Sequence, residues 1–338
     1  MASYSVYLAY YLSHETFPHA KTLDFAYIGG LNFSMAMLVA PLTNLATRRV
    51  SVKLPMSLGI ALFSGGFLAG SFSTKIVHLY LFQGVFVGVG VGLIWVPASA
   101  IIPQWFTTKR SLANGICAAG SGVGGLIMCF STEAMLSSLG LAWTMRITLV
   151  IILVVLVPAT VLIQPCNTND QPLQRMFDWH LLKRYQVLLL LAWSLVIMFG
   201  YITLMFSLSD YALSVGQSQK ASATVAAVLN LGCAVGRPFI GFASDRYGRI
   251  RVAGIVTFAC SLLVFTVWLP TMSFVALLVF AFTGGAALGI FWVTIGPLAA
   301  EVVDLRDVTS FLSLSSLTVV LPCSCKLSLW PASQDVLS

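Results

Sequence analysis

Charge is what this chain has least of. Only 9% of its 338 residues are Asp, Glu, Lys or Arg, where a soluble domain carries about 25%. With 58% apolar residues and a mean hydropathy of +0.93, most of the chain is not built to meet water. Ten-residue alternation of apolar and polar positions is missing, which excludes a lipid-spanning barrel. No G-x-x-x-x-G-K-[ST] stretch occurs, so nucleotide-driven pumping has no phosphate cradle. His14, His19, His78 and His180 show no metal-ligand spacing, and no paired acids lie inside an apolar run, so an intramembrane enzyme lacks its chemistry. The cysteines form neither a ligand set nor a disulfide framework. Cys117, Cys129, Cys233 and Cys260 fall within apolar runs, Cys166 stands alone in a polar stretch, and Cys323 and Cys325 are too closely spaced for a scaffold. No enzyme activity, cofactor or metal is expected.

What is present is a series of apolar runs of about 18 or more residues, each able to cross roughly 30 Å of hydrocarbon. Backbone groups in lipid must be satisfied within the segment, so these runs are helices. The predicted spans are 24–46, 54–73, 76–103, 112–136, 141–164, 185–209, 217–243, 250–270 and 272–300, with a further helix from Val308 to Leu321 and half a helix over Met1–Ser13. The fold class is an all-α, multi-pass membrane protein, with the bilayer as its partner. The net charge of +7 suggests nucleic acid until its distribution is examined. Of the 18 Lys and Arg, 12 occupy every second loop: Arg48, Arg49 and Lys53; Lys109 and Arg110; Arg175, Lys183 and Arg184; Arg246, Arg249 and Arg251; Arg306. Such alternation is the positive-inside pattern, so the basic balance reports topology, and those loops face the cytoplasm.

The one long polar break, 165–184, divides the chain into an N-terminal bundle (1–164) and an incomplete C-terminal bundle (185–321), with an irregular tail (322–338). The halves repeat. G-L-I-W from Gly92 to Trp95 returns as G-I-F-W from Gly289 to Trp292, and the Arg48-Arg49 turn corresponds to Gly248-Arg249 at nearly the same separation. Leu45 then stands where the second copy has Asp245.

Two motifs carry most of the specificity. Gly241 to Arg251 reads G-F-A-S-D-R-Y-G-R-I-R between two apolar runs. Gly241 removes a side chain where helices approach, and Gly248 permits a tight turn. Asp245 can pair with Arg246 or Arg249, or face the N-terminus of a neighbouring helix. The stretch resembles the loop signature G-x-x-x-D-R-x-G-R of the major facilitator superfamily. The second motif, Trp105 to Gly125, reads W-F-T-T-K-R-S-L-A-N-G-I-C-A-A-G-S-G-V-G-G. It resembles the fifth-helix signature of the monocarboxylate transporter family, with Trp105 in place of the usual Tyr and Thr108 in place of a basic residue. Gly140 to Arg146 and Gly236-Arg237-Pro238 continue the likeness, and Tyr7–Ser13 and Ile28–Ser34 are closest to fungal members. The resemblance implies two parallel six-helix repeats of which about ten to eleven helices are present. It also implies a secondary transporter of a small organic solute, a monocarboxylate-like anion or related metabolite, working by alternating access at the plasma membrane. The missing helices keep open a transporter-like receptor or scaffold, or an inactive truncation.

The resemblance also sorts the candidate residues. Arg237 lies about 9 Å inside its helix by helical rise. There a charge costs at least about 2.5–3.5 kcal/mol and should face a cavity or partner. In the related carriers an arginine at this place contributes to anion binding and the conformational cycle; the alternative is that it snorkels to the cytoplasm or bonds backbone carbonyls. Trp95 and Trp292, at equivalent places in the halves, line a cavity and stack on a flat substrate, or else face lipid or pack between helices; Asn230 donates to a substrate or bridges helices. Gly241, Asp245, Arg246, Gly248 and Arg249, with Lys109 and Arg110, form a conformational gate or, for the last two, a basic anchor. The glycines of the fifth-helix motif, with Gly84, Gly88 and Gly92, let helix backbones pack closely. The animal lactate carriers of the family have an aspartate one turn before the arginine and a lysine in the first helix. Here Cys233 and Leu8 stand in those places, so the family's proton relay does not carry over, and co-transport of a proton stays open.

Overall fold

The structure, a computed structural model, describes residues 4–13, 22–106, 108–164, 179–214, 219–268, 273–303 and 307–334. Every regular element among them is helical. The order is α1 (Tyr4–Ser13), α2 (Thr22–Leu38), α3 (Ala40–Arg49), α4 (Lys53–Gly70), α5 (Ile76–Leu79), α6 (Val87–Trp105) and α7 (Arg110–Leu162), then α8 (Tyr185–Ser214), α9 (Gln219–Tyr247), α10 (Arg249–Leu263), α11 (Phe274–Leu288), α12 (Ile290–Val302) and α13 (Val308–Gln334). Eight helical stretches, some built from two of these elements, are long and apolar enough to cross a bilayer. The chain is a multi-pass membrane protein.

Several predicted spans are interrupted, each for a local reason. α2 gives way to α3 at Val39, because Pro41 has no N–H for the Met37 carbonyl. α5 passes through a π-helical turn, Tyr80–Phe86, into α6. α7 has 53 residues, about 80 Å if straight, more than twice the hydrocarbon thickness. It is two spans joined at Gly140, whose φ of 76° no bulky residue adopts readily. The span expected over 272–300 is broken at Gly289 into α11 and α12.

Two expectations meet the structure differently. The tail, read as irregular from Pro322 onward, instead continues α13 through Pro322 to Gln334. Pro322 and Pro331 each withdraw one donor, from the Thr318 and Leu327 carbonyls, and isolated missing bonds do not by themselves end a helix. Residues 335–338 lie outside the described residues. Of the central loop, 165–178 also lie outside them, and Trp179–Lys183 form one 3-10 turn.

The internal repeat reappears as matching contacts. A Cβ on Gly88 of α6 would lie 2.5 Å from the Asn32 carbonyl of α2, and a Cβ on Gly285 of α11 would lie 2.3 Å from the Leu229 carbonyl of α9. Both pairs keep the register that aligns Gly92 with Gly289. Between the halves, α7 packs on α9 and α2 packs on α13. The repeat equates α2 with α9 and the first leg of α7 with α13, so these are the same contact with the halves exchanged. A core of Met37, Met198, Phe291, Phe311 and Val319 lies where the two halves meet.

Candidate functional site

One end of the bundle carries Arg49, Lys53, Lys109, Arg110 and Arg249 at helix termini, and the halves are tied together there. α7 begins at Arg110 with no side-chain cap of its own, which leaves its first backbone donors unpaired. Asp245, at the end of α9 in the other half, supplies the acceptor. Its Oδ1 takes the N–H of Ser111 at 3.2 Å and its Oδ2 that of Leu112 at 2.8 Å. A carboxylate on a helix N-terminus contributes roughly 0.3–1 kcal/mol, and more when part-buried. Arg249, carried round by Gly248 at φ 98°, reaches back to Asp245 at 3.5 Å and across to Glu301 of α12 at 3.2 Å. α9 comes close enough for this because of Gly241, where a Cβ would lie 2.4 Å from the Ser111 carbonyl. A second tie runs from Asn44 of α3 to the Ser313 hydroxyl of α13 at 3.0 Å.

Deeper in the bundle Arg237 is 4% exposed. Its guanidinium donates through Nη1 to the Ala118 carbonyl at 2.6 Å and to the Ser121 hydroxyl, both on α7. Its Nε has no hydrogen-bond partner. Its side chain passes directly over Gly289, where a Cβ would lie 2.6 Å from Arg237 Cγ and Nε. That close passage requires a residue without a side chain at 289. Tyr201 and Cys233 stand within electrostatic reach of the guanidinium, and the Cys233 thiol donates to the Gly285 carbonyl at 3.1 Å. Trp292 packs edge-on against Trp95 at 5.1 Å between ring centroids, Tyr201 at 6.3 Å and Phe33 at 6.1 Å. Aromatic surface from both halves therefore adjoins the buried cation.

The predicted residues separate accordingly. Arg237, Trp95 and Trp292 belong to one neighbourhood. Asn230 is buried, but its amide donates to Ala226 of its own helix at 2.9 Å, so it neither bridges helices nor projects a donor away from α9 through that bond. Gly241, Asp245, Gly248 and Arg249 come together in one contact where α9 meets the start of α7. Arg246 is not part of the Asp245 pair: it lies exposed over the Tyr247 ring at 5.6 Å. Lys109 is exposed, and Arg110 donates to the Phe106 carbonyl at 3.0 Å, which fits an anchor at the helix end. Gly115 and Gly122 carry the approach of α9, whereas Gly120 and Gly124 face open space. Leu8 is partly buried against the Tyr7 and Tyr11 cluster.

The sequence by itself does not single out Ser121, Asn114, Tyr201, Phe33 or Glu301 for these contacts. Only Asn114 and Ser121 carried a signal, being polar residues inside the glycine-rich fifth-helix motif.

Residues 2–322 match the family model of the Major Facilitator Superfamily. Among curated proteins, the chain is 31% identical over 313 residues to "Probable transporter MCH2" of Saccharomyces cerevisiae, covering 90% of this chain and 66% of that protein. It is 34% identical over 301 residues to "Uncharacterized transporter ESBP6" of the same yeast, covering 86% of this chain and 45% of that protein. It is also 35% identical over 119 residues to "Monocarboxylate transporter 12" of Mus musculus, covering 35% of this chain and 24% of that protein. The chain thus spans less than two thirds of the length of these relatives.

Proposed function

The chain belongs to the Major Facilitator Superfamily, and we propose that it forms the core of a secondary transporter moving a small organic anion by alternating access. The observation that carries this reading is Arg237. It is almost fully buried, and the described groups around its guanidinium, the Ala118 carbonyl, the Ser121 hydroxyl, Tyr201 and Cys233, include no carboxylate. A buried cation with neutral partners favours an anion that comes and goes, and a planar fork suits a carboxylate. The aromatic surface of Trp95, Trp292, Tyr201 and Phe33 gives the organic body of such a solute an apolar wall. The relatives named as transporters, one of them a monocarboxylate transporter, support the same class.

In this reading the ties at the basic end hold the carrier closed on the cytoplasmic side, in a plasma membrane, with 165–184 cytoplasmic as the positive-inside pattern requires. Gating then consists of breaking the Asp245–Arg249–Glu301 chain and parting α9 from α7. A proton is not carried through position 233, where a thiol bonded to the Gly285 carbonyl stands.

The test is uptake of radiolabelled short-chain and aromatic monocarboxylates by the full-length protein in proteoliposomes. Saturable flux is expected, and Arg237→Lys should raise KM by roughly tenfold or more, because it keeps the charge and loses the bidentate fork. Saturable binding without flux would favour a transporter-like receptor instead. Neither binding nor flux across the panel would overturn the reading.

A further inference from the structure

Helix α12 contains a proline at 297. Proline has no N–H, so the Val293 carbonyl one turn earlier has lost its helical donor. Left unpaired in a buried position, such an acceptor costs roughly 1–3 kcal/mol. Val293 is fully buried, so water is a poor substitute. The donor comes from the other half of the molecule. Asn114 of α7 directs its amide nitrogen to the Val293 carbonyl at 2.9 Å and to the neighbouring Trp292 carbonyl at 3.0 Å. Two carbonyl acceptors fix the orientation of the amide, since only its NH2 can serve both.

We propose that Asn114 is a positioning residue that clasps the carbonyl freed by Pro297. It thereby ties α12 to α7 across the interface between the halves and sets the Trp292 indole among Trp95, Tyr201 and Phe33. The clasp holds Trp292 by its own backbone carbonyl, so a shift of α12 relative to α7 moves the indole with it. α12 is 13 residues long. It is set off from α11 at Gly289, and its other end bears Glu301, the partner of Arg249. Opening the gate therefore requires the clasp to release, and release displaces an aromatic wall of the site. The consequence for solute selection rests on the transport reading above; the clasp itself does not.

Hydrogen–deuterium exchange of the full-length protein in detergent, read by mass spectrometry, tests it without any solute. Asn114→Ala should accelerate amide exchange about tenfold in peptides covering 108–118 and 290–302, a loss of about 1.4 kcal/mol of protection. Peptides of α4 and of the second leg of α7 should exchange as before. Asn114→Asp, which keeps the size and removes the two donors, gives the same readout should the alanine variant not fold. Pro297→Ala supplies the distinguishing measurement, because an alanine N–H at 297 can bond the Val293 carbonyl within α12. Added to Asn114→Ala it should restore protection to 290–302 while 108–118 stays fast. Unchanged exchange of α12 in both Asn114 variants, or an equal effect of Pro297→Ala with and without Asn114, would overturn the proposal. Uniform acceleration across the whole protein would do the same, since it would mark a general loss of packing.

Discussion

At the scale of single residues, the centre of the molecule depends on which neighbours Arg237 lacks. An acid one turn away would neutralise it, and the thiol of Cys233, bonded to the Gly285 carbonyl, does not. Cys233→Asp is therefore an informative substitution. The new carboxylate would pair with the guanidinium when ionised and compete with a substrate anion, and would release it when protonated. Uptake by this variant should fall at neutral pH and recover as the pH is lowered, whereas the parent protein should show no such recovery; proteoliposome flux against external pH checks it. Glu301 invites a weaker expectation. It is 37% exposed and its pairing with Arg249 is screened by water, so Glu301→Gln should cost well under 1 kcal/mol of stability.

At the scale of the helix, contacts decide which glycines matter, and composition does not. Gly120 and Gly241 both look like packing glycines in the sequence. A Cβ at Gly120 meets nothing within 4 Å, while one at Gly241 meets the Ser111 carbonyl at 2.4 Å. Gly120→Ala should leave thermal stability unchanged or raise it, since alanine is favoured over glycine in a helix interior by roughly 0.5–1 kcal/mol. Gly241→Ala should lower it by about 1–3 kcal/mol, because backbone rather than a flexible side chain must move. Opposite signs in a thermal-shift assay of the two variants would bear out the assignment; equal signs would refute it. Proline behaves similarly. Pro41 and Pro297 each free a carbonyl, yet among the described residues only the second has a side chain from another helix directed at the acceptor.

At the scale of the whole molecule, three of the polar ties between the halves lie toward one end, while the bonds of Arg237 to α7 lie deeper. Asp245 holds the start of α7, Asn44 holds Ser313, and Asn114 holds α12. Joining Asn44→Cys to Ser313→Cys with a short bis-thiosulfonate linker should arrest flux, and reduction should restore it. Persistent flux in the crosslinked protein would show that this end does not need to part.

Much of this was legible without coordinates. Scarcity of charge and runs of about 20 apolar residues leave lipid and helices as the one arrangement that satisfies every backbone group. The spacing of G-L-I-W and G-I-F-W announced two halves, and the order of Gly241, Asp245, Gly248 and Arg249 announced a tight charged turn. Those features are local, or repeat at a fixed separation, and so are written along the chain. The partners that Asp245, Arg237 and Asn114 find in the opposite half are not. Each lies more than 110 positions away, on a helix whose rotation is fixed only when the halves pack. Tertiary structure alone decided that Arg237 crosses Gly289 and that an amide from one half fills the gap left by a proline in the other. Hydrogen bonds and close contacts between helices depend on which faces meet, and the sequence of either helix does not specify that by itself.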